Sequence, residues 1–138
     1  MSVIFVIGRV LFSIIFARSG LQHLQDDGTM AGYAKAKGAP APNLTVPLTG
    51  VMILAGSISI ALGLWADVGA LLIVAFLIPT AFIMHAFWKL DDPQERAMDA
   101  AHFYKDVALL GAAIVIFYLY NQGQDVAASL TNALLGKF

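Results

Sequence analysis

Cysteine is absent from this chain of 138 residues. That absence excludes disulfides, thiolate metal sites and thiol relays, and leaves the redox compartment unmarked by cysteine usage. Charge is scarce as well, at 12% of residues with a formal net charge of -1. A soluble domain carries roughly a quarter charged residues, so half that amount points to a membrane. The lack of a basic excess excludes a nucleic-acid face. No glycine-rich phosphate loop, no HExxH or CxxCH spacing and no serine–histidine–acid arrangement occurs, which argues against a nucleotide enzyme or a hydrolase.

What the chain has in quantity is apolar sequence: 59% hydrophobic residues and a mean hydropathy of +0.79. Four stretches reach the roughly 20 apolar residues that a helix needs to cross the hydrocarbon core: 2–23, 44–66, 68–88 and 101–120. No charged residue falls between Lys37 and Asp67, or between Asp67 and Lys89. None of the runs alternates with the period of barrel strands, and lipid admits only helices or closed barrels. The expectation is an all-α fold, a four-helix transmembrane bundle forming a single domain over 1–138. The tail, 124–138, spaces Val126, Leu130, Leu134 and Phe138 as a short C-terminal interfacial helix. The first run has no basic segment before its apolar core and Arg9 inside it, so it reads as a retained span rather than a signal peptide.

The connections carry further expectations. GAPAP at Gly38–Pro42 cannot continue a helix, and the stretch before it suits a short interfacial helix with Met30 and Tyr33 toward the membrane. Asp91-Asp92-Pro93 suits the start of a short surface helix. Small residues at Ala55, Ser59 and Gly63, and at Ala108 and Ala112 beside Gly111, mark expected helix contacts. Five basic residues (Lys35, Lys37, Lys89, Arg96, Lys105) sit at the first and third loops against Lys137 and the amino terminus on the other side. By the positive-inside rule those loops face the cytoplasm and both termini lie outside.

The polar residues gather at the loop side. His23 ends the first span, His85 lies near the end of the third, and His102 begins the fourth. Trp88, Tyr104, Lys105 and Asp106 stand beside them. Three readings of the histidines are open: interfacial side chains at headgroup level, a small-molecule pocket with a quinone-like head group on His85, His102 and Trp88, or ligation of haem or metal. No tight ligand spacing supports a metal. Arg9, Ser13, Phe16, Gly20 and His23 fall on one helical stripe, as do His102, Asp106, Leu109, Ala113 and Ile116. Charges inside spans need partners. By depth, Arg9 matches Asp67, Tyr118 or Asn121, and Arg18 matches Asp106 or Asp99, as structural ion pairs.

Taken in order, these features resemble the DoxX family of small four-span membrane proteins. The matching pieces are Gly8-Arg9, Ser19-Gly20-Leu21 with His23, Ala31-Gly32-Tyr33 through Pro40, Gly56 to Leu64, His85-Ala86-Phe87-Trp88 and His102 to Asp106. The resemblance implies a four-helix bundle in the bacterial inner membrane. It also implies a membrane subunit of a complex concerned with quinone-linked oxidation or with thiol and oxidative stress. The alternative it carries is an assembly factor, chaperone or accessory subunit without catalysis. The lipid bilayer and a larger membrane complex or homo-oligomer are the expected partners. The chain departs from the family's pattern at Val51–Leu54, where many relatives carry a glutamate, and at Asp106, where asparagine is common. The ligand-contacting residues expected on this reading are His23, His85, Trp88, His102, Tyr104 and Lys105.

Overall fold

In the computed structural model, residues 2–122 and residue 131 are described, and the expected interfacial helix at 124–138 lies outside them apart from Thr131. The described residues form helices and connecting turns. They are α1 (Ser2–Leu24), α2 (Thr29–Ala36), α3 (Pro42–Leu62), α4 (Ala66–Pro79) and α5 (Pro93–Asn121). A π turn, Thr80–Met84, continues α4, and a single 3-10 turn, Phe87–Lys89, follows it. Four segments are long and apolar enough to cross a membrane: Val3–Leu24, Pro42–Leu62, Ala66–Lys89 and Pro93–Asn121.

Local chemistry sets the boundaries. Asp26 and Asp27 take the free amides at the start of α2. Asp26 accepts from Met30 and Ala31, and Asp27 from the amide and hydroxyl of Thr29. Those hydroxyl and amide donors hold the Asp27 carboxyl below its usual range. Gly28 and Gly38 flank α2 with φ of 101° and 87°, a region that side chains disfavour. α3 begins with Pro42 in its first turn and stops at Gly63, whose φ is 65°. Asp92 caps α5 by accepting from the amides of Gln94 and Glu95, with Pro93 in the first turn. The expected short surface helix at Asp91–Pro93 is therefore the first two turns of α5, which runs unbroken from there to Asn121. Nothing interrupts it, because Lys105 and Asp106 sit on a long helix of good formers rather than at its start.

α1 packs along α3, α3 along α4 and α4 along α5, so the helices stand in a row curled around a core. Ile53, Ile60, Ala66, Ala70 and Ile73 form its fully enclosed centre, with Phe16, Leu77 and Ala113 around them. Glycines decide how closely the helices approach. A Cβ on Gly20 would lie 2.9 Å from Leu54 Cβ, and one on Gly50 would lie 2.8 Å from His23 Cβ. Gly56 and Gly69 face each other in the same way between α3 and α4. The small residues expected at the contacts differ in part. Ser59 packs against Gly69, but Ala55 is exposed and Gly63 serves as the helix stop. Gly111 meets nothing within 4 Å and Ala108 is exposed, while Ala112 is half-buried, so among the described residues Ala108 and Gly111 mark no close helix contact. They lie on the face opposite Asp106 and Ala113, which point inward.

The two intramembrane arginines part company. Arg9 is buried, and its Nη1 donates to the Tyr120 hydroxyl at 2.7 Å. Tyr118, one of its expected partners, is 59% exposed because it lies two residues out of phase. Asp67 and Asn121 are buried at the same end of the bundle. Arg18 is exposed, and the basic partners of Asp99 and Asp106 are Lys37, Lys105 and His85. The expected Arg18–Asp106 pair is thus corrected. Arg18 lies two residues from the buried Phe16, which turns it to the far side of α1.

Candidate functional site

The polar groups converge where α5, the end of α4 and the loop after α2 meet. Asp99 and Asp106 are seven residues apart on α5, so both project from one face two turns apart. The π turn ends at His85, whose φ of -118° and ψ of 39° leave the helical range. This break presents the imidazole between the two carboxylates. Nδ1 lies 3.5 Å from Asp99 Oδ1, and Nε2 lies 3.8 Å from Asp106 Oδ2. His102, one turn beyond Asp99, stacks on His85 with ring centroids 5.0 Å apart at 21°.

Two lysines complete the string. Lys37, in the loop after α2, donates to Asp99 Oδ2 at 2.6 Å. That hydrogen bond raises the Lys37 pKa above the ordinary lysine value, and the ammonium also lies 5.5 Å from the Tyr33 ring. Lys105 Nζ lies 3.3 Å from Asp106 Oδ1 and 3.4 Å from His102 Nδ1. The order Lys37–Asp99–His85–Asp106–Lys105 alternates base and acid across the width of the bundle. A neutral imidazole has one N–H and can serve only one of the two carboxylates. With the ring neutral, one of the two carboxylates is therefore left without an N–H from His85.

Below this string lies a cavity of about 520 Å³, within the usual range for small-molecule sites. His23, Tyr33, Thr49, His85, Lys105 and Asp106 supply its polar rim. Phe16, Met52, Phe76, Leu77, Ile83 and Leu109 supply its apolar walls. Asp106 Oδ2 and His85 Nδ1 are buried with no hydrogen-bond partner among the described residues. A buried polar atom left this way costs about 1–3 kcal/mol, which suits a place reserved for another donor or acceptor.

Of the residues singled out from the sequence, His23, His85 and Lys105 line the cavity and His102 backs His85. His23 is directed to α3, with Nδ1 3.2 Å from the Val46 carbonyl and 3.0 Å from the Thr49 hydroxyl. Among the described residues no group of His, Asp and Glu is set to hold a metal ion. Trp88 and Tyr104 do not wall the cavity. They join Phe82, Phe87 and Phe103 in an edge-to-face aromatic cluster on the outer surface, where Trp88 is 46% and Tyr104 is 62% exposed. The reason is helical phase: Tyr104 stands two residues from Asp106, and the 3-10 turn swings Trp88 outward. Asp99 and Lys37 belong to the site, whereas the sequence offers Asp99 as a partner for Arg18 and Lys37 as a topology marker. The seven-residue spacing of Asp99 and Asp106 was the signal available.

A family model described as DoxX matches residues 4–86. The inner membrane protein YphA of Escherichia coli (strain K12) is 29% identical over 115 residues, which cover 83% of this chain and 81% of that protein. No solved structure matches the chain.

Proposed function

This chain belongs to the DoxX family of integral membrane proteins, and from that membership and the cavity's chemistry we propose that it binds a quinone-class amphiphile. The head group sits at His85, Asp106 and Lys105, and the chain is the membrane subunit of a redox-linked complex. The observation that carries this reading is the buried Asp106 Oδ2, without a hydrogen-bond partner at the wall of a largely apolar cavity. A quinol hydroxyl donates to that carboxylate, and a quinone carbonyl accepts from Lys105 or from a protonated His85. The chain's own part is to bind the head group and move protons. Electrons come from a redox partner subunit. As with the YphA relative, whose name places it in the inner membrane, the bundle lies in a bacterial inner membrane. Its first and third loops face the cytoplasm.

The test is binding of a decyl-tailed benzoquinone to the purified protein, with the head-group variants His85→Ala and Asp106→Asn. Each is expected to weaken binding about tenfold, the worth of one good hydrogen bond. Unchanged binding in both would remove the assignment. The exposed ring cluster around Trp88 and Tyr104 supports a second reading, as an accessory or assembly subunit that docks a larger membrane complex. Co-migration with a large complex on a native gel, without bound quinone, would favour it.

A further inference from the structure

The cavity has two sides of different character. On its aqueous side lies α2. Ala31 and Ala34 seat it on Val46 of α3, with Met84 of the π turn packed alongside, and Lys37 fastens its far end to Asp99 of α5. Both ends of this eight-residue helix turn on glycines of positive φ, Gly28 and Gly38. Residues of α2 and its following loop, among them Tyr33 and Ala39, form part of the cavity wall. On the opposite side the row of helices does not close among the described residues. α1 packs on α3 and α5 on α4, but α1 and α5 have no comparable packing with each other. They are joined near the chain termini, where Arg9 meets Tyr120 and Phe5 lies 6.3 Å from the same ring. Farther along, Ile15 and Ser19 of α1 and Lys105 and Leu109 of α5 all line the cavity. Ile15 is 40% exposed, and the Lys105 side chain is 43% exposed.

We infer that the occupant enters and leaves sideways from the bilayer, through the seam between α1 and α5, while α2 is a cover latched against water by Lys37–Asp99. The class of ligand follows: a membrane-dissolved molecule with an apolar tail lying in the seam between Ile15 and Leu109, and a hydrogen-bonding head on His85 and Asp106. A water-soluble metabolite entering from the loop side would have to pass the latched α2. This inference rests on the ligand site proposed above and specifies how that site is reached.

The experiment compares a tail-less dimethoxybenzoquinone with the same ring carrying a decyl tail, by rapid-filtration binding to the full chain in lipid nanodiscs. Leu109→Trp and, independently, Ile15→Trp fill the seam. Each is expected to slow association of the decyl probe about tenfold or more, and by a larger factor than that of the tail-less one. Lys37→Met frees the cover and is expected to speed association of the tail-less probe by a larger factor than that of the decyl probe. Native-gel migration checks that each variant is folded, and two seam positions guard against loss of one. Fast decyl binding in both folded seam variants would overturn the sideways route while leaving the head-group site standing. A decyl probe that responds to Lys37→Met and not to the seam would replace it with access from water. Failure of the unmodified protein to bind either probe would overturn both readings together.

Discussion

The carboxylates of Asp99 and Asp106 lie at opposite ends of a single imidazole, that of His85. Seven residues of α5 separate them, which on a helix is two turns on one face. Neither carboxylate is equivalent to the other. Asp99 is tied to Lys37 outside the cavity, and Asp106 keeps one oxygen free of hydrogen bonds within it. The pair is thus polarised, with one end anchored and the other offered to a ligand.

Asp99→Asn and Asp106→Asn should therefore separate in their effects. Asp106→Asn should weaken quinone binding with a smaller loss of thermal stability, because its Oδ2 has no hydrogen bond to lose and the partner of its Oδ1, Lys105, is 43% exposed. Asp99→Asn should chiefly destabilise the fold, by about 1–2 kcal/mol for a half-shielded ion pair with a direct hydrogen bond. Thermal unfolding in mild detergent, read beside binding, checks the split. Equal losses in both assays for both variants would show that the carboxylates act as one structural unit.

The Lys37 pair has a pH signature of known sign. The Asp99 carboxylate raises the lysine's pKa in the folded state. The stabilisation is therefore whole below the unfolded lysine value, about 10.4, and disappears as pH rises through the higher folded value. The unfolding midpoint is expected to stay level with respect to this pair from neutrality to about pH 10 and to fall above it. Lys37→Met should remove that alkaline component. An identical alkaline fall in the variant would show that the pair contributes nothing.

Helix spacing can be tested at glycine. A methyl group on Gly50 would meet the His23 Cβ at 2.8 Å, with backbone of α1 close behind. Gly50→Ala should cost about 1–3 kcal/mol through overpacking. It should also disturb His23 in the cavity wall. Gly111→Ala, with nothing within 4 Å, should be neutral or slightly stabilising through helix propensity. The difference between the two unfolding midpoints is the measurement. A neutral Gly50→Ala would mean that α1 and α3 are free to separate.

Tyr120→Phe removes the hydroxyl that accepts from buried Arg9. A loss of about 1–3 kcal/mol is expected for the weakened buried network. Quinone affinity should be unchanged, since this contact lies at the opposite end of the bundle. Loss of affinity in step with stability would show that the terminal clasp shapes the cavity as well as the fold.

The sequence made the bundle legible because apolar length is a one-dimensional property. The charge-free stretches before and after Asp67 each became a hairpin helix. The stripe Arg9, Ser13, Phe16, Gly20, His23 also turned inward as periodicity requires, with the first four buried. The site was only half legible. His85 and His102 meet as their place at the loop ends suggested, yet Trp88 and Tyr104 face outward. Their orientation depends on how α4 ends, and hydropathy does not report a π turn. Asp99 pairs with Lys37 and His85 rather than with Arg18 for a related reason. Hydropathy extends the third loop to residue 100, whereas Asp92 and Pro93 start α5 early enough to carry Asp99 onto the helix face. A capping signal was present and was read as beginning a separate short element.

That π turn has a consequence for how such a site arises. Thr80–Met84 follows an i→i+5 ladder where the rest of α4 follows i→i+4, so it carries a surplus residue. Striking out one residue there would let the regular ladder run on, and would rotate His85 by about 100° relative to Asp99 and Asp106. The shortened segment would still be apolar enough to cross the bilayer. Its expected phenotype is an inserted, folded protein with no affinity for the quinone, read by the same filtration assay. A single-codon insertion is the genetic distance between a plain lipid-facing helix and one that brings an imidazole to two acids.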